Sequence, residues 1–72
     1  MDNNGIGERI AKLREKRSLN QEELARLLLV KQETISQWEK GKRRIPAEQV
    51  GEIAVTLNTT CDYLILGKRA VK

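Results

Sequence analysis

The sequence contains no histidine, one cysteine and only two aromatic residues among its 72 residues. Without histidine, the commonest general base and metal ligand is missing. Cys61 then has no histidine partner, which makes it a poor candidate for a nucleophile. No group of residues has the spacing of a metal site, and no glycine-rich phosphate loop follows a strand-like run. We therefore expect no catalysis, no metal and no cofactor.

Long apolar runs are also missing. No stretch approaches the roughly 18 apolar residues of a membrane span, and the start, MDNNGIGER, lacks the basic-then-apolar order of a secretory signal. A single cysteine cannot form an internal disulfide and fits a reducing compartment. These features predict one small cytoplasmic domain over residues 1–72, with a core at about 6–67, frayed ends and no membrane partner.

The charge of the chain is modestly positive and unevenly distributed. Fourteen lysines and arginines against ten acidic residues give +4 at pH 7. The basic clusters are Lys12, Arg14, Lys16 and Arg17; Lys40, Lys42, Arg43 and Arg44; and Lys68, Arg69 and Lys72. Such clustering favours a polyanion as the partner, although the last of these clusters could equally be surface charge for solubility.

The spacing of apolar residues predicts five helices. Helix 1 ends near Ser18, helix 4 follows Pro46 and ends at Asn58, and helix 5 has Thr60 as its N-cap and Gly67 as its stop. The apolar positions of these three helices are Ile6, Ile10 and Leu13; Val50, Ile53, Ala54 and Leu57; and Tyr63 and Leu64.

The middle of the chain predicts two helices joined by a tight turn. Asn20 is an N-cap residue, and Glu23 completes a capping box for helix 2. Helix 2 buries Leu24, Ala25 and Leu28, and the turn falls near Leu29 and Val30. Helix 3 then runs from about Gln32 to Lys40, with Gly41 as its left-handed C-terminal cap.

Helix 3 has two chemically different faces. Ile35 and Trp38 fall on one side and can hold the helix against a core. Polar side chains along a helix held in this way suit hydrogen bonding to base edges in a DNA major groove, although a solvated surface would show the same pattern. The polar stripe, at positions i, i+1, i+4, i+5 and i+8, consists of Gln32, Glu33, Ser36, Gln37 and Lys40.

Three segments of the chain form an ordered combination: IGERIAKLREKRSLNQEELA, TISQWEKGKRRIP and IAVTLNTTCDYLILG. Together they resemble the Cro/C1-type (XRE-like) helix-turn-helix family, and the resemblance extends from about Ile6 to Gly67. It implies an all-α, compact, lambda-repressor-like bundle of five helices. Helices 2 and 3 would form the helix-turn-helix, and helix 3 would enter the major groove. The resemblance also implies a homodimer on two symmetry-related half-sites of double-stranded DNA.

The resemblance assigns roles to individual residues. A glutamine can form a paired contact with adenine, and a carboxylate can accept from the amino group of cytosine. Glu33 could instead be an exposed charge that discourages wrong sequences. The expected base contacts are Gln32, Glu33, Ser36 and Gln37, and the expected phosphate contacts are Gln21, Lys31, Lys40, Lys42 and Arg43.

The resemblance also implies an internal ion pair, between Arg14 and Glu39, that ties helix 1 to the end of helix 3. The sequence departs from the family at three notable positions, one of them Leu27, which stands where a charged residue is common, and more mildly at Ser18, where glycine is frequent. Leu29 stands where the family usually has glycine, so leucine would adopt a positive φ or the turn would be remodelled. Lys31 replaces the usual Ser or Thr cap of helix 3.

Our leading hypothesis is a sequence-specific transcriptional regulator, of the kind that acts as a prokaryotic or phage repressor, binding a palindromic operator as a homodimer. One alternative is an antitoxin-like module that also binds a toxin protein, through exposed leucines such as Leu27 and Leu29. Another is a helix-turn-helix domain that binds only proteins. The candidate dimer contacts, which could equally pack inside the monomer, are Val55, Tyr63, Ile65 and Leu66.

Overall fold

Five helices joined by short turns make up residues 4–67, which are the part of the chain that the computed structural model describes. The predicted all-α fold is confirmed, and helix 3 ends one residue earlier than predicted. No helix in this part of the chain is both long and apolar enough to cross a membrane. The helices are α1 (Asn4–Lys16), α2 (Gln21–Leu28), α3 (Gln32–Glu39), α4 (Ala47–Thr56) and α5 (Cys61–Leu66).

The ends predicted to fray were roughly residues 1–4 and 68–72. The prediction is wrong for Asn4, which is the first residue of α1, and residues 1–3 and 68–72 lie outside the described residues. The basic cluster of Lys68, Arg69 and Lys72 is therefore also outside the described residues.

The core is a single cluster to which every helix contributes. Ile35 and Trp38 of α3 are buried, as predicted, and α3 packs mainly against α2 and α1. One side of α3 is thus held by two neighbouring helices while its other side stays open. The remaining buried side chains are Ile10, Leu24, Ala25, Leu28, Val50, Ile53, Ala54, Leu57 and Leu64.

A close approach between α1 and α3 depends on Gly7. A Cβ at this position would lie 2.4 Å from the carbonyl oxygen of Trp38 and 2.6 Å from that of Glu39. Both distances are far shorter than van der Waals contact, so glycine is required where α1 crosses the C-terminal end of α3. No local sequence pattern indicates this role of Gly7, because the partner atoms lie more than 30 positions away along the chain.

The first four helices end in the same way. In each, two backbone N–H groups bond to carbonyl oxygens of the last turn in the Schellman pattern. The residue that turns the chain has positive φ in every case: Ser18 (62°), Leu29 (60°), Gly41 (74°) and Asn58 (58°). Only one of the four is glycine. Of the two outcomes expected at Leu29, the structure has the positive φ, and the predicted left-handed cap at Gly41 is confirmed. Asn58, where helix 4 was predicted to end, is also left-handed.

Replacing Leu29 with glycine should stabilise the domain. A left-handed residue with a Cβ costs roughly 1–2 kcal/mol, and glycine removes this cost. About 0.5–1 kcal/mol of the gain is lost again, because glycine makes the unfolded chain more flexible. Leu29 is 91% exposed, so its side chain contributes no burial to the monomer. We expect a net gain of about 0.5–1 kcal/mol, measured by urea denaturation with Trp38 fluorescence as the probe.

Leu27 supplies the matched control, since it is also exposed but lies inside α2. Leu27→Gly should lose about 1 kcal/mol of stability, because glycine is a poor residue for a helix interior. If both substitutions destabilise the domain to the same extent, the positive φ of Leu29 carries no strain and the prediction is wrong.

Candidate nucleic-acid interface

The two helices at the centre of the candidate interface begin with different caps. The predicted capping box of α2 is present: the Asn20 side chain accepts from the Glu23 backbone N–H at 2.7 Å, and the Glu23 side chain accepts from the Asn20 N–H at 2.8 Å. At the start of α3, Lys31 makes no side-chain cap hydrogen bond. The predicted loss of the α3 cap is therefore confirmed.

The four predicted base-contacting residues share the open face of α3. Gln32 and Glu33 are exposed, and Ser36 and Gln37 are half-buried. Within residues 4–67, none of these four side chains takes part in a hydrogen bond or an ion pair. Their donors and acceptors are consequently free to bond with another molecule, from a helix whose opposite face is fixed in the core.

Basic side chains lie at both ends of this face. Lys31 precedes α3, and Lys40, Lys42 and Arg43 follow it; all four are exposed. At Gly41 the chain reverses, with the Lys42 N–H donating to the Gln37 carbonyl oxygen at 2.9 Å. This reversal brings Arg43 back alongside α3.

The Arg43 side chain shows how far the loop of residues 40–44, which we call the basic loop, folds back. Its Nη1 lies 3.5 Å from Oγ1 of Thr34, a weak hydrogen bond to the first turn of α3. Thr34 was not among the predicted site residues, because nothing in the local sequence shows that a loop residue returns to it. Polar base-reading candidates and basic phosphate-contact candidates thus form one continuous surface.

Gln21, a predicted phosphate contact, is bonded towards the interior. Its Nε2 donates to Oε1 of Glu39 at 2.9 Å, and the residue is half-buried at the start of α2. One bond leaves the second N–H of the amide and its oxygen for another partner. The structure therefore connects the first residue of α2 with the last residue of α3.

Arg14 and Glu39 form the ion pair that the family resemblance implies. Arg14 Nε donates to Glu39 Oε2 at 2.7 Å and Nη2 donates to Oε1 at 3.2 Å, while Nη1 donates to the Leu19 carbonyl oxygen at 2.9 Å. The two side chains are only 11% and 7% exposed. The hydrogen bond to Glu39 raises the pKa of the Arg14 guanidinium, against the effect of burial, so Arg14 stays positively charged.

Two further arginines cap other helices: Arg9 of α1, and Arg17, which directly follows α1. Arg9 Nε donates to the Leu64 carbonyl oxygen at 2.8 Å, at the end of α5. Arg17 Nε donates to the Leu57 carbonyl oxygen at 3.0 Å, at the end of α4. A guanidinium at a helix C-terminus satisfies free carbonyl groups and opposes the negative end of the dipole.

These capping contacts change the interpretation of the basic cluster near the N-terminus. Arg14 and Arg17 are half of that cluster, and both use their guanidinium groups inside the domain. Their positive charge is therefore less available to a polyanion than their place in the sequence suggests. The pairs are 25 and 40 positions apart, and no local sequence pattern reports such contacts.

Two surface grooves flank α4. The first, which we call the basic-rimmed groove, is a cavity of about 540 Å³ whose lining includes Ile6, Arg9, Arg43, Arg44, Ile45 and Ile65. The second is a cavity of about 510 Å³ between α2 and α4, and its lining includes Val55. Two of the candidate dimer contacts, Ile65 and Val55, therefore belong to different grooves.

The comparisons with known proteins agree with this geometry. A family model described as helix-turn-helix matches residues 10–64. The matched range contains the whole of α2, α3 and α4, including the open face of α3 and the basic loop after it. No curated protein matches the chain.

Proposed function

The chain belongs to the Cro/C1-type helix-turn-helix family of DNA-binding transcription regulators, and from this we propose that it binds a palindromic operator as a homodimer. In this proposal α3 enters the major groove. The observation that carries it is the open face of α3, on which four polar side chains have free hydrogen-bonding groups while Ile35 and Trp38 hold the helix in the core.

The free side chains on α3 suit direct reading of bases. The amides of Gln32 and Gln37 each combine a donor with an acceptor, which matches the N6 and N7 edge of adenine. Ser36 can donate or accept, and the Glu33 carboxylate can accept from the amino group of cytosine. Helix 3 would thus recognise a short sequence in each half-site.

The surrounding residues suit contact with phosphates, which sets affinity and orientation rather than sequence preference. Lys31, Lys40, Lys42 and Arg43 are exposed at the two ends of α3. Gln21 adds its second amide N–H at the start of α2, held in place by its hydrogen bond to Glu39. The same bond connects Gln21 to the ion pair, so the phosphate contact and the angle of α3 depend on one network.

The dimer contact we propose is at the end of α5. Ile65 and Leu66 are 55% and 63% exposed, and Ile65 lines the basic-rimmed groove. Arg43 and Arg44 at the rim would repel a second copy in free solution. DNA phosphates close to the basic loop would offset that repulsion, so we expect dimerisation to be strongest on the operator.

Selection from a random duplex DNA library at near-physiological salt would test the proposed function. We expect enrichment of a palindrome whose half-sites lie about one helical turn apart. Absence of any enriched sequence, with binding that disappears as salt rises, would contradict the proposal. That result would favour the alternative of a helix-turn-helix domain that binds proteins.

Substitution of Gln37 should separate sequence recognition from general DNA binding. Gln37→Ala is expected to weaken binding to the selected operator by about 1–3 kcal/mol, because one paired base contact is lost, while binding to unrelated DNA changes little. Lys42→Ala is the matched control, and it should weaken binding to every duplex similarly. It should also make the slope of log K against log salt concentration shallower by about one. Fluorescence anisotropy across a salt series measures both, and identical behaviour of the two variants would refute the assigned roles.

A further inference from the structure

The groove between α2 and α4, which we call the acidic-rimmed groove, is an apolar surface that the DNA-binding proposal does not use. Leu27 of α2 and Val55 of α4 line it and are 58% and 81% exposed. Single exposed apolar side chains are common on protein surfaces. Here two of them, from different helices, border the same shallow, open groove of about 510 Å³ between α2 and α4.

Gly51, which also lines the groove, has no structural requirement for glycine among the described residues. A Cβ built at Gly51 meets no atom within 4 Å, in contrast to Gly7, where the backbone of α3 occupies that space. Glycine in a helix interior is less favourable than alanine. The missing side chain therefore keeps the groove open and allows another molecule to approach the backbone of α4.

The rim of this groove carries negative charge on a chain with a net charge of +4. Glu48 and Glu52 line it from α4, and both are exposed. Within residues 4–67, neither carboxylate belongs to an ion pair. An acidic rim repels DNA phosphates and anionic lipid headgroups, so neither is a suitable occupant.

A second copy of the chain is also a poor occupant. A symmetric contact through this groove would bring Glu48 and Glu52 of both copies together, and like charges facing each other across an interface oppose association. No phosphate could offset this repulsion, because phosphate carries the same sign of charge.

We propose that the acidic-rimmed groove binds an amphipathic helix of a second protein, with lysine or arginine beside its apolar face. The apolar side chains would lie between Leu27 and Val55, over Gly51, and the basic side chains would face Glu48 and Glu52. Helices bind grooves of this kind through residues spaced at i, i+3 and i+4. The groove would let a partner protein act on the regulator without occupying the open face of α3.

The test uses a fluorescein-labelled amphipathic helical peptide of leucine and lysine as the probe, with binding measured by anisotropy at near-physiological salt. We expect saturable binding to the unmodified chain. Gly51→Leu should weaken it about tenfold or more, because the new side chain fills the groove while suiting the helix. The double variant Glu48→Gln, Glu52→Gln should weaken binding and remove most of its salt dependence.

Two control variants test whether any exposed acidic side chain, or any exposed apolar side chain, supports peptide binding. Glu8→Gln removes an exposed acid from α1, and Ile65→Ser removes an exposed apolar side chain from the other groove; both should leave peptide binding unchanged. Equal binding by the unmodified chain and Gly51→Leu would overturn the proposal. So would sedimentation that shows a peptide-free dimer abolished by Gly51→Leu, since a second copy would then occupy the groove.

Measurement of DNA binding separates this proposal from the proposed function. Gly51→Leu and the double glutamine variant should bind duplex DNA at low salt as well as the unmodified chain does. Loss of DNA binding in these variants would overturn the assignment of the groove to a separate partner, because the groove would then be coupled to the DNA interface.

Discussion

Gly7→Ala is expected to destabilise the domain by about 3 kcal/mol, at the upper end of the range for overpacked positions. The added methyl group would lie 2.4 Å from the Trp38 carbonyl oxygen and 2.6 Å from the Glu39 carbonyl oxygen. Both obstructing atoms belong to the backbone, so no side-chain rotation can relieve the contact. Helix α1 must separate from α3, and a domain with roughly 5–15 kcal/mol of total stability would lose a large part of it.

Gly51→Ala is the matched control for this prediction, because the same change is made in another helix where the new Cβ meets nothing. It should stabilise the domain by about 0.5–1 kcal/mol through the better helix propensity of alanine. Urea denaturation followed by circular dichroism and Trp38 fluorescence measures both variants. If Gly7→Ala left the stability unchanged or raised it as Gly51→Ala should, the close crossing of α1 and α3 would be wrong.

Glu39→Ala should have a comparably large effect, about 3–5 kcal/mol, because it leaves a nearly buried charge without its partner. Arg14 would lose both hydrogen bonds to the carboxylate, and Gln21 would lose its acceptor. We expect DNA affinity to fall as well, even in buffer without denaturant, in which the variant is folded. The reason is that the network joins the start of α2, the end of α3 and helix α1.

Glu15→Ala is the control for Glu39→Ala. Its carboxylate lies 3.9 Å from Arg14 Nη2 and its side chain is 70% exposed, so its loss should change stability by less than about 0.5 kcal/mol. Denaturation and DNA titration of the two variants, together with Glu39→Gln, provide the measurement. Unchanged stability and DNA affinity in Glu39→Gln would refute the view that the pair sets the angle of α3.

The ion pair should add little pH dependence through its basic member. Glu39 raises the pKa of Arg14, and a group with a raised folded-state pKa contributes stability that is fully present below its unfolded-state pKa. That contribution is lost only as the pH rises through the folded-state pKa. Since an arginine already titrates far above neutrality, its contribution remains constant across the range in which the protein would be studied.

The elements of the fold could largely be predicted from the sequence because their signals are local. The capping box of Asn20 and Glu23 and the Thr60 cap each involve residues three positions apart. The buried faces follow from helical periodicity in the same way. The family resemblance added the positive φ of Leu29 and the pairing of Arg14 with Glu39, which periodicity alone does not reveal.

The sequence by itself determined the five helices, their caps and the polar stripe of α3, since each depends on residues within about one turn of each other. Only the tertiary structure decided which side chains are free to meet a partner. It committed Arg9 and Arg17 to distant carbonyl groups, tied Gln21 to Glu39, placed Gly7 against α3 and opened a groove over Gly51. The physical reason is that these contacts join segments far apart in the chain, and they exist only after the helices have packed.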